Sequence, residues 1–405
     1  MRRAGVRGLV AVAWITVLCG LGGCGGSGGS VTRTGTPAAG RHPAGPLIGA
    51  MFDGPVLGPR VDLNHQLDLA VSSGVESLRV AVDWSSAQPY QSLAQVPSAQ
   101  RGSFTDVGGV PTRFADLDRV ASAAAARGLS LLPVVLSTPR WAAAGPRASI
   151  STPPRPAAYG AFVGALVHRY GPHGSFWSSH PKLPAVPVRM WQVWNEPDFA
   201  RYWSVQPFAP SYVKVLAAAH AAIKQADSGA QVVLAGLPEF SWQYLAQIYA
   251  VPGARALFDT VAIHPYTARP AGVIEILARV RAVMDRAGDA RKPLLATEIT
   301  WPSSQGHAPP QFGVGTTEAG QAMLLGQVMP LLERNRARLR LNGFYWYTWM
   351  GDESRRSSAY AFDYAGLLGY ADGRVVTKPA LAVFRRWALA LEHCAGKVAS
   401  ATECG

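Results

Sequence analysis

Short apolar runs alternate with longer amphipathic stretches along the chain from residue 47 onward. The short runs are bounded by turn-forming residues, which is typical of strands in a buried parallel sheet. The predicted strands are Leu47–Phe52, Ser77–Val82, Ser130–Leu136, Val188–Trp194, Gln231–Ala235, Thr260–Ile263, Pro293–Thr297 and Asn342–Tyr347. The intervening stretches repeat apolar residues at helical spacing. The predicted helices cover residues 61–73, 114–127, 156–170, 211–226, 242–250, 272–287, 317–336 and 378–391.

The counts of these elements decide between two α/β architectures. Eight strands alternating with eight helices match a closed (β/α)8 TIM barrel. A doubly wound open sheet is the alternative, and it would more often carry a glycine-rich phosphate-binding turn after its first strand. The sequence GAMFDG at the end of the first predicted strand lacks that spacing. We therefore predict a single barrel over residues 47–392, with long loops at 84–113 and 137–155 on its catalytic face.

Two of the predicted strands end at a glutamate that is followed closely by tryptophan or proline. The sequence MWQVWNEPDF places Glu196 at the end of the fourth strand, and PLLATEITWP places Glu298 at the end of the seventh. The carboxyl ends of barrel strands converge on one rim, where the active sites of this fold are built. Two carboxyl groups that face each other across a substrate are the arrangement needed to hydrolyse a glycosidic bond, and their separation distinguishes retention from inversion.

The composition limits the classes of partner. The 405 residues are 48% hydrophobic, and the formal net charge of +13 comes mainly from arginines scattered along the chain. No run of basic residues predicts a nucleic-acid-binding arm, so we expect no nucleic-acid partner. Compositional bias explains the charge, and attraction to an acidic polysaccharide or an anionic envelope surface is the alternative explanation.

The N-terminus has the organisation of an export signal. Arginines near the first residue precede the apolar run Leu9 to Leu18, which is too short to span a membrane. The following LGGC resembles the bacterial lipoprotein signal box, which implies a signal peptide over 1–24 and lipidation of Cys24; ordinary secretion with cleavage nearby is the alternative. Residues 25–46 predict a flexible tether. We therefore expect an extracytoplasmic protein that contacts a membrane only through a lipid anchor.

Two cysteines fall outside the signal region, Cys394 and Cys404. In an exported chain, a pair so close in sequence predicts one disulfide that pins the C-terminal tail at 393–405. A metal site is the alternative, but two sulfurs without a nearby pair of histidines argue against it.

Four motifs taken together resemble the clan A retaining glycoside hydrolases, which are (β/α)8 TIM barrels. They are RVAVDW on the second predicted strand, WNEP on the fourth, HPY on the sixth and TEITWP on the seventh. The resemblance covers residues 47–392 and is nearest in character to the family 39 and family 5 β-glycosidases. It implies cleavage of a polysaccharide or oligosaccharide through a covalent glycosyl-enzyme intermediate, with neither a metal nor an organic cofactor.

The resemblance assigns roles to the motif residues. Glu196 matches the general acid/base, and Glu298 matches the nucleophile. Asn195 matches the amide that holds the 2-hydroxyl of the sugar, where a turn residue before proline is the alternative. Tyr266 matches a tyrosine that hydrogen-bonds the nucleophile. His264 lies near the subsite of the reacting sugar, and a histidine satisfied within the core is the alternative.

Arg79 lies inside the second predicted strand, where a guanidinium is costly to bury unless it is paired. We expect it to hold the Glu298 carboxylate in its charged form. An arginine that points outward is the alternative.

Tryptophans at strand ends are candidate platforms for sugar rings. On the eighth strand, NGFYWYTWM, the resemblance places a tryptophan under the cleaved sugar; we predict Trp346, with Trp349 as the second candidate. Trp301 follows the seventh strand and is predicted to line the same rim. Asp198 is predicted to touch a neighbouring sugar, and capping of a helix is its alternative role.

The sequence therefore predicts a monomeric retaining glycosidase. Two other functions remain open, namely transglycosylation through the same intermediate and a catalytically silent carbohydrate-binding lipoprotein. Sugar and linkage depend on the loops between strands and helices, whose conformations do not follow from the sequence. The many aromatic residues at strand ends favour an internal cut in an envelope or plant-type polysaccharide.

Overall fold

The structure is a computed structural model that describes residues 47–145, 148–354 and 360–405. The predicted signal peptide, the tether and Cys24 lie outside the described residues. Within the described part of the chain, no helix is both long enough and apolar enough to cross a membrane.

A ring of parallel strands forms the centre of the fold. The strands are β1 (Leu47–Phe52), β2 (Ser77–Asp83), β3 (Ser130–Leu136), β4 (Met190–Val193), β5 (Gln231–Val233, resuming at Leu237–Pro238), β6 (Val261–His264), β7 (Leu294–Ile299) and β8 (Leu341–Trp346). Their spatial order is β5-β4-β3-β2-β1-β8-β7-β6. The first part of β5 pairs with β4 and its second part pairs with β6, so the sheet closes on itself.

One long helix follows each strand. The helices are α1 (Leu63–Ser72), α2 (Ala115–Ala125), α3 (Pro156–Tyr170), α4 (Ala209–Ala226), α5 (Ser241–Tyr249), α6 (Pro270–Arg286), α7 (Glu318–Leu339) and α8 (Pro379–Leu391). The predicted α/β barrel is confirmed, and each predicted strand and helix is found close to its expected position.

Local sequence explains where several helices begin. Proline lies in the first turn of α3, α4, α6 and α8, where the missing N–H has no intrahelical partner to lose. The Asp62 carboxylate accepts hydrogen bonds from the first N–H groups of α1, and the Thr317 hydroxyl does so for α7. Each such cap stabilises its helix by about 1 kcal/mol.

The core has two layers because the strands are apolar on both faces. Inside the barrel, Leu132, Val233, Ala262, Leu295 and Tyr345 form one buried cluster. A much larger cluster fills the space between the strands and the surrounding helices. Packing on both sides fixes the strands, so side chains at their carboxyl ends are held by a rigid frame.

Shorter elements decorate the barrel. An antiparallel hairpin (Thr105–Val107 with Val110–Thr112) lies in the loop after β2, and a small sheet forms from Met350–Gly351, Leu368–Ala371 and Arg374–Thr377. The short helices are Trp84–Ala87 and Ser175–Ser179, and the 3-10 turns are Gly54–Leu57, Leu93–Gln95, Ser98–Ser103, Arg140–Ala142, Ala254–Leu257 and Ala361–Tyr364. Past α8, a disulfide joins Cys394 to Cys404.

Candidate active site

The two predicted glutamates line one cavity at the carboxyl end of the barrel strands. Glu298 is the penultimate residue of β7, and Glu196 lies three residues beyond the end of β4. The cavity has a volume of about 140 Å³. Glu196 is 3% exposed and Glu298 is 7% exposed, so both carboxyl groups act in surroundings that contain little water.

A histidine lies between the two carboxyl groups. His264, the last residue of β6, is fully buried. Its Nδ1 lies 2.8 Å from Glu196 Oε1, and its Nε2 lies 3.5 Å from Glu298 Oε1. One oxygen of Glu196 and one of Glu298 are within 4.8 Å of each other. The imidazole therefore fixes the spacing of the two glutamates.

A glycine in the interruption of β5 makes room for this histidine. A Cβ atom at Gly236 would lie 2.0 Å from His264 Nε2, so the imidazole ring fills the space that a side chain would need. The carbonyl of Gly236 accepts a hydrogen bond of 3.1 Å from the Glu196 amide. The gap in the strand thus positions both His264 and Glu196.

The backbone that carries Glu196 has an unusual conformation. Trp194 has a φ angle of 71° and Glu196 one of 41°, values that side-chain-bearing residues seldom adopt. Such strain, about 1 kcal/mol or more per residue, persists only where the surrounding contacts hold it. Here it turns the chain out of β4 so that the Glu196 carboxyl points into the cavity.

Arg79 joins the two halves of the site from inside β2. It is 1% exposed, and its guanidinium donates to Glu298 Oε1 at 2.6 Å and to Asn195 Oδ1 at 2.8 Å. Its Nε donates to Gln192 Oε1 at 2.8 Å. A buried guanidinium is tolerated because this network satisfies its donors. The arginine points inward, as expected, and contacts the predicted nucleophile.

The surroundings of Glu298 favour its ionised form. Burial alone would raise the pKa of this carboxyl, but the charges of His264 and Arg79 and the hydrogen bonds from Tyr266 and Arg79 lower it below its usual value. Tyr266 donates its hydroxyl to Glu298 Oε2. Burial and the nearby carboxylates raise the pKa of Tyr266 well above 10, so the phenol keeps its proton and remains a donor.

Several cavity residues escaped the sequence analysis. Aromatic side chains dominate the wall, namely Tyr202, Phe312, Tyr347, Tyr360 and Phe362 beside Tyr266. Most of them come from loops after β4, β7 and β8, where no periodic pattern marks a residue as inward-facing. Tyr202 could have been found, because it follows the WNEP motif closely.

Two charged groups on the wall were also missed as site residues. Asp53, just after β1, accepts a hydrogen bond of 2.6 Å from the Thr348 hydroxyl. Burial raises the pKa of Asp53 to about 6, a change to which the charge of Glu298 adds. Arg201 extends its guanidinium to within 3.4 Å of Glu196 Oε2.

The predicted tryptophan platforms are not on the cavity wall. Trp346, Trp349 and Trp301 are each at most 1% exposed and belong to the core between strands and helices. Their indole N–H groups donate to the Ala365 carbonyl, to Gln66 Oε1 and to the Thr267 carbonyl, respectively. Strand alternation is the cause: Tyr345 points into the barrel, Trp346 points out toward the helices, and Tyr347 reaches the cavity.

Asp198 also lies away from the cavity wall. Among the described residues, neither of its carboxylate oxygens has a hydrogen-bond partner, although both are buried. Burial first, and then the charge of Glu196, raise its pKa to about 8. The structure shows neither a helix cap nor a cavity contact for this side chain.

Glu196, His264 and Glu298 form a group of oxygen and nitrogen atoms that could in principle hold a metal ion. The donor set does not fit that role well. Arg79 already binds Glu298 Oε1, and its positive charge would repel a cation at the same oxygen. His264 and Tyr266 occupy further carboxylate oxygens. The residues instead form a hydrogen-bond network that joins Arg79, Glu298, Tyr266, His264 and Glu196, in which Nε2 of His264 has no hydrogen-bond partner among the described residues.

No family model and no curated protein matches the chain by sequence. Solved structures do match it in fold. A glucosidase from Croceicoccus marinus is 16% identical, with a TM-score of 0.61 over 86% of this chain and 69% of that one. A family 39 glycoside hydrolase from the gut symbiont Bacteroides cellulosilyticus is 17% identical, with a TM-score of 0.59 over 85% of this chain and 64% of that one, just under two thirds of its length.

A third structure, of a GH5_18 protein from Streptomyces cattleya in complex with Manβ1-4GlcNAc, is 17% identical, with a TM-score of 0.59 over 84% of this chain and 79% of that one. Matches at such low identity establish a similar backbone fold. They do not establish the reaction, which must be argued from the residues of the site. The fold expected from the four sequence motifs is thus found, and the chain has an α/β TIM-barrel fold similar to the folds of these solved glycoside hydrolases.

Proposed function

We propose that this chain is a retaining glycoside hydrolase that cleaves O-glycosidic bonds of an oligosaccharide or polysaccharide by double displacement. The observation that carries the proposal is the pair of buried carboxyl groups, Glu196 and Glu298, with oxygens within 4.8 Å across one cavity. Carboxyl groups about 5–5.5 Å apart are typical of retaining enzymes, whereas inverting enzymes need about 6.5–9.5 Å to admit a water molecule. The short separation supports the retaining mechanism.

In the first step, Glu298 attacks the anomeric carbon and Glu196 gives its proton to the departing oxygen. The lowered pKa of Glu298 keeps this carboxyl ionised and ready to attack. Arg79 and Tyr266 hold its two oxygens in place, which reduces the reorganisation needed to reach the transition state.

In the second step, Glu196 takes a proton from water, and the resulting hydroxide cleaves the ester to Glu298. His264 contacts Glu196 Oε1 throughout and fixes the direction in which the carboxyl acts. Asn195 uses its carbonyl oxygen to accept from Arg79, so its amide nitrogen remains to donate to a sugar hydroxyl. A hydrogen bond at the 2-hydroxyl that strengthens in the transition state would contribute to the rate.

The neighbours in fold are consistent with a carbohydrate substrate, since their names include a glucosidase and a family 39 glycoside hydrolase. Tyr347 and the other aromatic wall residues offer flat surfaces for sugar rings. The proposed place of action, outside the cytoplasm and with a lipid anchor at Cys24, rests on the N-terminal sequence alone.

The test is covalent trapping of the nucleophile. A panel of 2-deoxy-2-fluoro glycosides with activated leaving groups should add the mass of one sugar to the wild-type protein, on the peptide that contains Glu298. Glu298→Gln should gain no mass and should lose activity by about 10⁴-fold or more, since a nucleophile is removed. Glu275→Gln, which replaces an exposed acidic residue on α6 that pairs with Arg269, serves as the control and should be trapped normally.

Proton NMR of the first product should show the anomeric configuration of the substrate. An inverted first product would exclude double displacement. Turnover by Glu298→Gln at the wild-type rate would exclude Glu298 as nucleophile. Products longer than the substrate would favour transglycosylation, and sugar binding without any adduct or product would favour a silent binding protein.

A further inference from the structure

An open groove continues from the catalytic cavity to the protein surface. Its walls are Phe199, Ala200, Arg201, Gln311 and Phe312, and its volume is about 500 Å³. Arg201 and Phe312 line both the cavity and the groove. A substrate that fills the cavity and extends beyond it would therefore pass directly over the Arg201 guanidinium.

Aromatic rings hold this guanidinium in place while one side stays accessible. It lies over the ring of Phe199 at 5.2 Å and over the ring of Tyr202 at 4.8 Å. The side chain is 48% exposed, although it pairs with Glu196 at 3.4 Å and interacts with Tyr360. A guanidinium has five N–H donors, so these contacts leave donors for a ligand.

The position of Arg201 indicates which end of the substrate the groove receives. Glu298 must face the anomeric carbon of the sugar in the cavity, and Glu196 must face the oxygen of the leaving group. Arg201 contacts Glu196 and also forms the wall of the groove. The groove thus lies on the leaving-group side of the bond.

The charge of the groove selects among leaving groups. Among the described residues that line the groove, Arg201 is the charged one, and the other four are aromatic, aliphatic or amide in character. Arginine binds carboxylates through two parallel hydrogen bonds, and its stacked guanidinium is already ordered for that contact. The aromatic rings of Phe199 and Phe312, stacked 6.0 Å apart, offer a surface for the apolar face of a sugar ring.

We propose that the groove is a subsite for a leaving group that bears a carboxylate, such as a uronic acid, and that Arg201 is its specificity-determining residue. This proposal rests on the proposed glycosidase function and names the substrate class of that site. Before cleavage, Glu196 is protonated, so the substrate carboxylate has Arg201 as its counter-ion. After cleavage, Glu196 becomes an anion and competes for Arg201, which promotes release of the acidic product.

The experiment compares matched leaving groups on the sugar that the trapping panel identifies. Ortho-, meta- and para-carboxyphenyl glycosides are measured against the corresponding carbamoylphenyl glycosides, which have the same shape without the charge. At least one wild-type pair should favour the carboxylate in kcat/KM by roughly tenfold, as expected for one charge-assisted hydrogen bond. Because the Arg201 side chain is half exposed, this preference should shrink as salt is added.

Arg201→Gln should abolish the preference, and Arg201→Lys should keep only part of it. Arg189→Gln is the control, because Arg189 precedes β4 at the opposite end of the barrel and its loss removes the same charge. Arg201→Gln also loses a contact to Glu196 and could slow all substrates. The affinities of the carboxyl and carbamoyl compounds are therefore also measured by calorimetry, in the Glu298→Gln variant and in the double variant that combines Glu298→Gln with Arg201→Gln.

A wild-type protein that cleaves both members of every pair equally would overturn the subsite proposal and leave the glycosidase intact. Persistence of the carboxylate preference in Arg201→Gln, in turnover and in binding, would overturn it as well. If the wild type cleaves no glycoside in the panel and forms no adduct, the glycosidase function itself fails, and that outcome differs from the other two.

Discussion

Replacing Arg79 tests the electrostatic basis of the site. The guanidinium is 1% exposed and donates to Glu298 Oε1 at 2.6 Å. Without the Arg79 guanidinium, the effect of burial on the Glu298 carboxyl would be less opposed, and the pKa of Glu298 should rise from its present lowered value. A hydrogen bond to a charged group contributes about 1.5–3 kcal/mol, which corresponds to a rise of roughly 1–2 pH units.

The consequence appears in the pH dependence of kcat/KM, which reports the ionisation of the free enzyme. Since Glu298 must be ionised to attack, the acidic limb of the profile should move to higher pH in Arg79→Met. Arg79→Lys keeps the positive charge and should move the limb less. Arg79→Met should also unfold more easily, because loss of a partner from a buried ion pair costs about 3–5 kcal/mol.

The same shift determines how stability changes with pH. A carboxyl whose folded-state pKa is lowered contributes stability above its unfolded pKa, and this contribution is lost as pH falls through the folded value. For Glu298 that loss lies in the acidic range below pH 4.5. Arg79→Met should therefore destabilise the protein more at pH 7 than at pH 3, as measured by thermal unfolding.

Arg169→Lys is the matched control. Arg169 pairs with Asp118 between the outer helices, well removed from the cavity residues, so its replacement should lower the unfolding temperature without moving the acidic limb. An acidic limb that stays in place in Arg79→Met, at wild-type folding, would refute the argument that Arg79 controls the ionisation of Glu298.

Three further predictions concern other parts of the molecule. Trp346→Phe should lower the unfolding free energy by about 1–3 kcal/mol with little effect on KM, because Trp346 is buried in the core. Tyr347→Ala should lower kcat/KM at least tenfold, because Tyr347 lines the cavity. Steady-state kinetics and thermal unfolding of both variants check these two expectations. Asp53→Asn should stabilise the protein at pH 7 but not at pH 3.5. The pKa of Asp53 is about 6 in the folded protein and 3.8 in the unfolded chain, so the wild type loses stability as the pH rises from 3.8 to 6. Equal unfolding temperatures for mutant and wild type at pH 7 would contradict this. Cys394→Ser should destabilise the chain by about 2–3 kcal/mol, because the disulfide closes a short loop and so removes only a modest entropy from the unfolded chain. It should leave kcat/KM at 25 °C unchanged, because the disulfide lies beyond α8.

The barrel could be predicted from the sequence because strands and helices repeat their apolar residues with different periods. Such a period can be read from a short stretch of chain without knowing its distant contacts. The sequence was also sufficient to bring Glu196 and Glu298 together, since both lie near the carboxyl ends of parallel strands that share a rim. Arg79 could be placed as well, because a guanidinium inside a buried strand requires a partner.

Other parts of the site could not be derived because they depend on contacts distant in sequence. Alternation along β8 showed that Trp346 faces the opposite way from a neighbouring tyrosine, but only the packing of the strand against α7 decides which side faces outward. Phe312 and Tyr360 belong to loops without regular structure of their own, so their place on the cavity wall follows from the assembled barrel. Arg201 follows the WNEP motif as closely as Tyr202 does, but only the assembled barrel shows that its guanidinium reaches Glu196.

The gap in β5 has a further meaning for how freely this sequence can vary. Position 236 must stay without a side chain, because even a methyl group would overlap the imidazole of His264. The backbone at this position still pairs with Asn195, and the absence of a side chain lets the His264 ring of the adjacent strand reach between Glu196 and Glu298. A designer who replaced this glycine to gain rigidity would displace the imidazole that sets the distance between Glu196 and Glu298.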